Sequence, residues 1–113
     1  MDADFEGLIA QGAVHVAVDA AGAVLGFIVF FQSGVHMDLE NVAVHPSASG
    51  QGIGARLIDL CEAEARLRGA ASVRLYTNQK MSANLAIYPR MGYRETERRR
   101  EDGFDRVYFE KGV

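Results

Sequence analysis

Residues 13–19 alternate strictly: Val14, Val16 and Val18 point one way, His15, Ala17 and Asp19 the other. This period of two is that of a half-buried strand. Ala21-Gly22 turns the chain into residues 24–32, a nearly unbroken apolar run with Gly26 inside it. The pair predicts a hairpin leading to a well-buried second strand. Ser33-Gly34 turns again into residues 37–44, a third strand that ends at Pro46, which has no N–H for a ladder. The period then changes. Ile53, Leu57, Leu60, Cys61 and Ala65 recur at helical spacing, with Arg56, Asp59, Glu62 and Arg66 on the opposite side, so a long amphipathic helix is predicted with Gly69 as its C-terminal cap. Residues 72–78 supply the next strand, through Val73, Leu75 and Tyr76. Residues 82–91 predict a short helix, capped by Ser82, stopped by Gly92 and bent in its last turn by Pro89. Residues 93–100 and 104–111 flank Asp102-Gly103, a strong hairpin turn. At the start, Phe5, Leu8 and Ile9 share one side of a short helix expected over residues 4–11. The predicted order is β-β-β-α-β-α-β-β after that helical start, with no repeat, linker or low-complexity segment.

Composition narrows the class without deciding it. A chain of 113 residues is one domain, residues 1–113, long enough to bury roughly two-thirds of its unfolded surface. Hydrophobic residues at 49% and charged residues at 24% are ordinary for a globular protein. A net charge of −3 argues against nucleic acid as a partner, because a nucleic-acid binder presents a basic face. The single cysteine, Cys61, excludes an internal disulfide and a cysteine-based zinc cluster, and it reads as a helix core residue. His15, His36 and His45 share no metal-ligand spacing, so no metal is expected. Met-Asp-Ala-Asp-Phe-Glu is acidic where a secretory signal is basic, and no apolar run is as long as a membrane span. A cytoplasmic protein with no membrane partner is expected. Arg98-Arg99-Arg100 lies among Glu95, Glu97, Glu101 and Asp102 and reads as a solvated hairpin rather than an anion site.

The chemistry sits where the third strand meets the long helix. Gly50, Gly52 and Gly54 leave successive backbone N–H groups unshielded at the positive end of that helix, an arrangement that binds phosphate oxygens without cationic side chains. A P-loop needs Gly-Lys-Ser/Thr after the last glycine, and Gly54-Ala55-Arg56 fails that. Gly50, Gly52 and Ala55 formally match a dinucleotide fingerprint, but that motif follows a first strand, and here three strands precede it. The next strand also ends Tyr76-Thr77-Asn78, where the fingerprint wants an acidic residue. A ligand-free glycine turn is the remaining alternative; it leaves alternate glycines at a helix start without a reason.

Val44-x-Pro46 followed by Ser49-Gly50-Gln51-Gly52-Ile53-Gly54 resembles the acetyl-coenzyme A loop of the GNAT superfamily of N-acetyltransferases, whose pattern is Arg/Gln-x-x-Gly-x-Gly/Ala. Asn84-Leu-Ala-Ile-Tyr88, followed by Gly92-Tyr93, is similar to the family's downstream Asn-x-Ala-x-Tyr and Gly-Phe/Tyr. The two motifs come in order, one helix and one strand apart, and the resemblance covers about residues 13–111. It implies an α/β (α+β) acyl-CoA N-acyltransferase fold: a mostly antiparallel mixed sheet flanked by helices. The sheet is expected to splay in a V between the third strand and the strand after the long helix, with coenzyme A in that cleft. Two departures stand out. Ser49 replaces the usual Arg or Gln; because most of the pyrophosphate's partners are expected to be backbone amides, binding is expected to be weakened rather than abolished, a hydrogen bond to a charged group contributing on the order of 1.5–3 kcal/mol. The family's usual first strand and first helix, which commonly form much of the acceptor pocket, are not expected ahead of residue 13; a fragment, a minimal variant and an acceptor site completed by a second subunit, in a homodimer, are the alternatives. The strand at residues 13–19 would otherwise be an open edge.

The resemblance also implies roles. Backbone groups of Val42, Ala43 and Val44 are expected to bind the pantetheine arm as an added strand, and the amides of Gly50, Gln51, Gly52, Ile53, Gly54 and Ala55 to hold the pyrophosphate. Tyr88 matches the family's general acid; a tyrosine packed beneath the sheet is the structural alternative. Asn84, one helical turn earlier, is placed to bond the pantetheine arm, or is simply an exposed helix polar group. Glu40, in Leu-Glu-Asn-Val-Ala-Val, is the candidate base, on the face of Val42 and Val44 by strict alternation, or a partly exposed strand glutamate. The expected activity is transfer of acetyl from acetyl-CoA to a primary amine of a small molecule or peptide, by direct attack in a ternary complex. The alternative is a non-catalytic acyl-CoA-binding or interaction module with a degenerate acceptor site.

Overall fold

Seven strands form a single sheet in the order β1-β2-β3-β4-β5-β7-β6. In chain order these are β1 (Gly7–Gln11), β2 (Val14–Val18), β3 (Val24–Ser33), β4 (His36–Val44), β5 (Ser72–Asn78), β6 (Arg94–Glu101) and β7 (Phe104–Gly112). The long helix α1 (Ile53–Leu67) joins β4 to β5, and α2 (Ser82–Arg90) joins β5 to β6. The computed structural model describes residues 7–11, 13–80 and 82–113, with side chains for 13–80 and 84–113. Every neighbouring pair of strands is antiparallel except β4 and β5, the pair joined through a crossover helix. The mixed, mostly antiparallel α/β sheet expected from the pattern is the one observed.

The core lies on one face of the sheet. Ile28 and Phe30 of β3, Met37 and Leu39 of β4, Val73 and Leu75 of β5, and Val107 and Phe109 of β7 are all buried there. Leu57, Cys61 and Ala65 of α1 cover them, and α2 adds Tyr88, whose ring lies 5.6 Å from that of Phe109. The opposite face carries Val14 and Phe31, which stay partly exposed, and the polar row of Asp38, Arg74 and Glu110 on adjacent strands. Gly26 allows β3 and β4 to approach: a Cβ there would stand 2.7 Å from the Ala43 carbonyl oxygen.

Three expectations are corrected. Residues 7–11 form a strand, antiparallel to β2 with Gly7 opposite Val18 and Gln11 opposite Val14, rather than part of a helix; residues 4–6 lie outside the described residues. Apolar residues spaced as Leu8 and Ile9 are read equally well by a five-residue strand, and pairing with β2 decides it. The strand at residues 13–19 is therefore not the sheet edge; β1 is. Finally, the alternation used to place Glu40 is broken. Val29 pairs with Asn41 but Phe30 with Leu39, so Glu40 is the extra residue of a bulge in β4. Met37 and Leu39 enter the core before the bulge and Val42 and Val44 pack against it afterwards, while Glu40 is exposed.

Candidate active site

β4 and β5 are hydrogen-bonded only at their beginnings, where His36, Met37 and Asp38 face Ser72, Val73 and Arg74. Beyond that the two parallel strands part. The bulge at Glu40 falls at the point of parting and bends β4 away. The V-shaped splay expected between these strands is thus present. A cleft of about 220 Å³ fills it, lined by Glu40 and Val42 from β4, Thr77 and Asn78 from β5, and Asn84 and Tyr88 from α2. Along the parted length, β4 has β3 on one side and no β5 ladder on the other.

α2 delivers Tyr88 to this cleft through its C-terminal turn. Gly92 takes φ 92°, a left-handed conformation that favours glycine. Its N–H donates to the Pro89 carbonyl at 3.1 Å, and that of Tyr93 donates to the Tyr88 carbonyl at 3.0 Å. This pair of bonds is a Schellman motif, and its usual apolar contact is the edge-on Tyr88–Tyr93 pair, 5.9 Å between ring centres. The spacing Tyr88-x-x-x-Gly92-Tyr93 therefore has a mechanical cause. Tyr88 is 7% exposed, and burial pushes its phenol above the ordinary tyrosine range, so it stays protonated at neutral pH. Asn84 donates from Nδ2 to Thr77 Oγ1 at 3.2 Å, tying α2 to β5 across the cleft wall.

The glycine loop begins where β4 ends. Pro46–Ala48 makes a 3-10 turn; Ser49 closes it, its hydroxyl donating to the Pro46 carbonyl at 3.0 Å. Gly50 and Gly52 have φ of 81° and 77°, and a Cβ at either would meet no atom within 4 Å. Backbone conformation, not crowding, selects glycine at both. Gly54 is different: a Cβ there would touch Val44 Cγ2 at 3.4 Å, so this glycine seats α1 against the end of β4. Gly52 is the N-cap of α1, with no side-chain cap and no acidic residue in the first turn. The first helical bond runs from Arg56 N–H to the Gly52 carbonyl at 3.1 Å, so the amides of Ile53, Gly54 and Ala55 have no helical acceptor. Such an uncapped N-terminus suits a phosphate.

Of the residues singled out from sequence, Glu40, Val42, Asn84 and Tyr88 meet around the cleft. Ala43 and Val44 continue β4, paired with Phe27 and Gly26. Gly50, Gln51, Gly52, Ile53, Gly54 and Ala55 lie beyond it, at the turn into α1; the Ile53 side chain is in the core. Cys61 is fully buried, as expected of a helix core residue, and burial beside Glu62 pushes its thiol up to about 12.

One buried cluster escaped the sequence. Glu62, placed on the polar side of the helix by its charge, is 4% exposed. It accepts hydrogen bonds from the Tyr93 hydroxyl and Lys111 Nζ, both at 2.9 Å. Burial and the adjoining Glu62 charge raise the Tyr93 phenol well above its usual range. The signal was in the spacing: Ile58, Glu62 and Ala65 stand at helical core intervals.

A family model, the GNAT acetyltransferase domain, matches residues 10–95. The chain belongs to the GNAT acetyltransferase family. Solved structures share its fold. Nourseothricin acetyltransferase is 27% identical with a TM-score of 0.81, over 88% of this chain and 64% of that one. Ard1 from Thermoplasma volcanium is 23% identical with a TM-score of 0.82, over 89% of this chain and 70% of that one. A GNAT family acetyltransferase from Elizabethkingia anophelis with acetyl-CoA bound is 19% identical with a TM-score of 0.80, over 88% of this chain and 75% of that one. The chain thus spans less than two thirds of the length of nourseothricin acetyltransferase. No curated protein matches it significantly by sequence. Among the described residues no helix is long and apolar enough to cross a membrane, and no group of His, Cys, Asp or Glu is arranged to hold a metal.

Proposed function

We propose that this protein transfers the acetyl group of acetyl-CoA to a primary amine by direct attack within a ternary complex. One observation carries the reading: the strands part at Glu40, and the cleft they leave is bordered by a buried, protonated tyrosine. In this reading the pantetheine arm lies along β4 at Val42, Ala43 and Val44, using the backbone groups that β5 leaves unpaired. Asn84 bonds the arm from the far wall. The pyrophosphate sits on the amides of Gly50 to Ala55, its partners being main-chain groups, so Ser49 in place of Arg or Gln weakens the grip without removing it. The neutral amine attacks the thioester carbonyl, the carbon–sulfur bond breaks, and the Tyr88 hydroxyl gives its proton to the departing sulfur. Glu40 receives the amine proton, directly or through water. No acyl-enzyme is involved, and Cys61 is buried in α1 away from the cleft.

Tyr88→Phe is the test. Loss of a positioned general acid costs about a hundredfold in kcat, while acetyl-CoA affinity stays within the error of calorimetry. Unchanged turnover in Tyr88→Phe would remove Tyr88 from the chemistry. Tight acetyl-CoA binding with no acetylated product from any amine would convert the protein into a binding module.

A further inference from the structure

We infer that the acceptor is an extended amine bearing two or more positive charges, held by one ammonium at Glu40 and another at Glu110. The choice of reacting amine rests on the acetyl-transfer reading; the recognition of a dication does not.

A second cavity, of about 430 Å³, opens beside the split in the sheet and shares Leu39, Glu40, Leu75 and Tyr76 with the cleft. An acceptor entering there reaches the cleft at Glu40. The charged residues of its wall are Asp38, Glu40, Glu97 and Glu110 against Arg74 and Arg99, four negative and two positive, a net of −2. Both arginines are already engaged: Arg74 with Asp38 at 3.0 Å and Arg99 with Glu97 at 2.8 Å. The excess therefore falls on two identifiable carboxylates. Glu40 has no ion-pair partner among the described residues. Glu110 accepts the Ser72 hydroxyl at 2.6 Å and stands 3.8 Å from His36 Nδ1, with no Lys or Arg paired to it among the described residues.

Their placement separates them. Asp38, Arg74 and Glu110 lie side by side on β4, β5 and β7, and Glu40 is two residues further along β4. Ordinary strand rise and spacing put the backbones of Glu40 and Glu110 on the order of 12 Å apart. Across that span a chain with a charge at each end reaches both carboxylates. Between them the wall offers the rings of Tyr76 and Tyr108, centres 5.4 Å apart, with the Arg99 guanidinium 4.5 Å from the Tyr108 ring centre; their remaining ring surface is what methylenes would touch. Arg106, over the Tyr76 ring, is itself held by Glu101 at 3.6 Å. A carboxylate-bearing acceptor such as an amino acid finds no free cation in this wall.

Calorimetry on the full chain with 1,6-diaminohexane, hexylamine and 6-aminohexanoate tests this directly. The diamine should bind about fivefold more tightly than hexylamine, the advantage of one added half-screened ion pair, and the aminohexanoate least tightly. Glu110→Gln, which keeps an acceptor for Ser72, should erase the diamine's advantage; Asp59→Asn, on the exposed side of α1, should leave it. Equal binding of diamine and monoamine, preference for the aminohexanoate, or an advantage that survives Glu110→Gln would overturn the inference. Thiol release from acetyl-CoA with the same amines judges the transfer reading separately: a diamine bound selectively but never acetylated upholds this inference and removes that one.

Discussion

Tyr88 and Cys61 are both raised by burial, but to different effect. Tyr88 borders the cleft, whereas Cys61, on the core-facing side of α1, is fully buried. A buried acid whose neutral form is favoured stabilises the fold below its ordinary ionisation, and that contribution drains away as pH climbs towards the folded value. Thermal melts should therefore show stability falling between about pH 9 and 12, the window set by Cys61, with Cys61→Ala giving a flatter profile than the parent. Tyr93 is a second residue with a calculable stake. Tyr93→Phe keeps the edge-on contact with Tyr88 but removes one donor from the buried Glu62 carboxylate. Urea denaturation should register a loss of about 1.5–3 kcal/mol, the worth of a hydrogen bond to a charged group. Loss much below that range would mean Lys111 and Arg66 satisfy Glu62 without the phenol.

Elements were legible wherever a period ran long enough to declare itself. The 15 residues of α1 show their apolar stripe plainly, and β5 begins and ends where its sequence predicts. The Asp102-Gly103 turn was equally clear, and both residues take positive φ, 52° and 81°. What stayed hidden depended on partners. β1 is five residues long and is defined by its pairing with β2. The bulge at Glu40 is a matter of register between β3 and β4, which Leu-Glu-Asn-Val does not encode by itself. The charge of Glu62 suggests a solvated position, and its helical spacing, which places it in the core, is the weaker signal. Of the site, the glycine loop, Tyr88 and Asn84 were visible as motifs, while the face of Glu40 was not. The loop also supports a prediction at this scale. Gly52→Ala puts a side chain where φ is 77°, so the fold should lose about 1–2 kcal/mol. Acetyl-CoA affinity should fall with it, because the amides of α1 start from that residue; unchanged affinity would detach the loop from the cofactor.

At the scale of the molecule, two wings of sheet, β1 to β4 and β5 to β7, meet across a single parallel junction that closes only at His36–Ser72, Met37–Val73 and Asp38–Arg74. The outer edge at β6 is dense in Arg and Glu, which discourages pairing with another chain. A substrate that binds the folded form alone adds about 2.7 kcal/mol at a hundredfold excess over its Kd, so acetyl-CoA should raise the melting temperature and adenosine should do so far less. The interrupted junction also leaves a trace in time. Those amides of β4 past Asp38 that face away from β3 have no strand to shield them, so they should trade hydrogen for deuterium quickly in the free protein. A guest that lies along β4 becomes the missing strand, and the slowing of that exchange would report its arrival residue by residue.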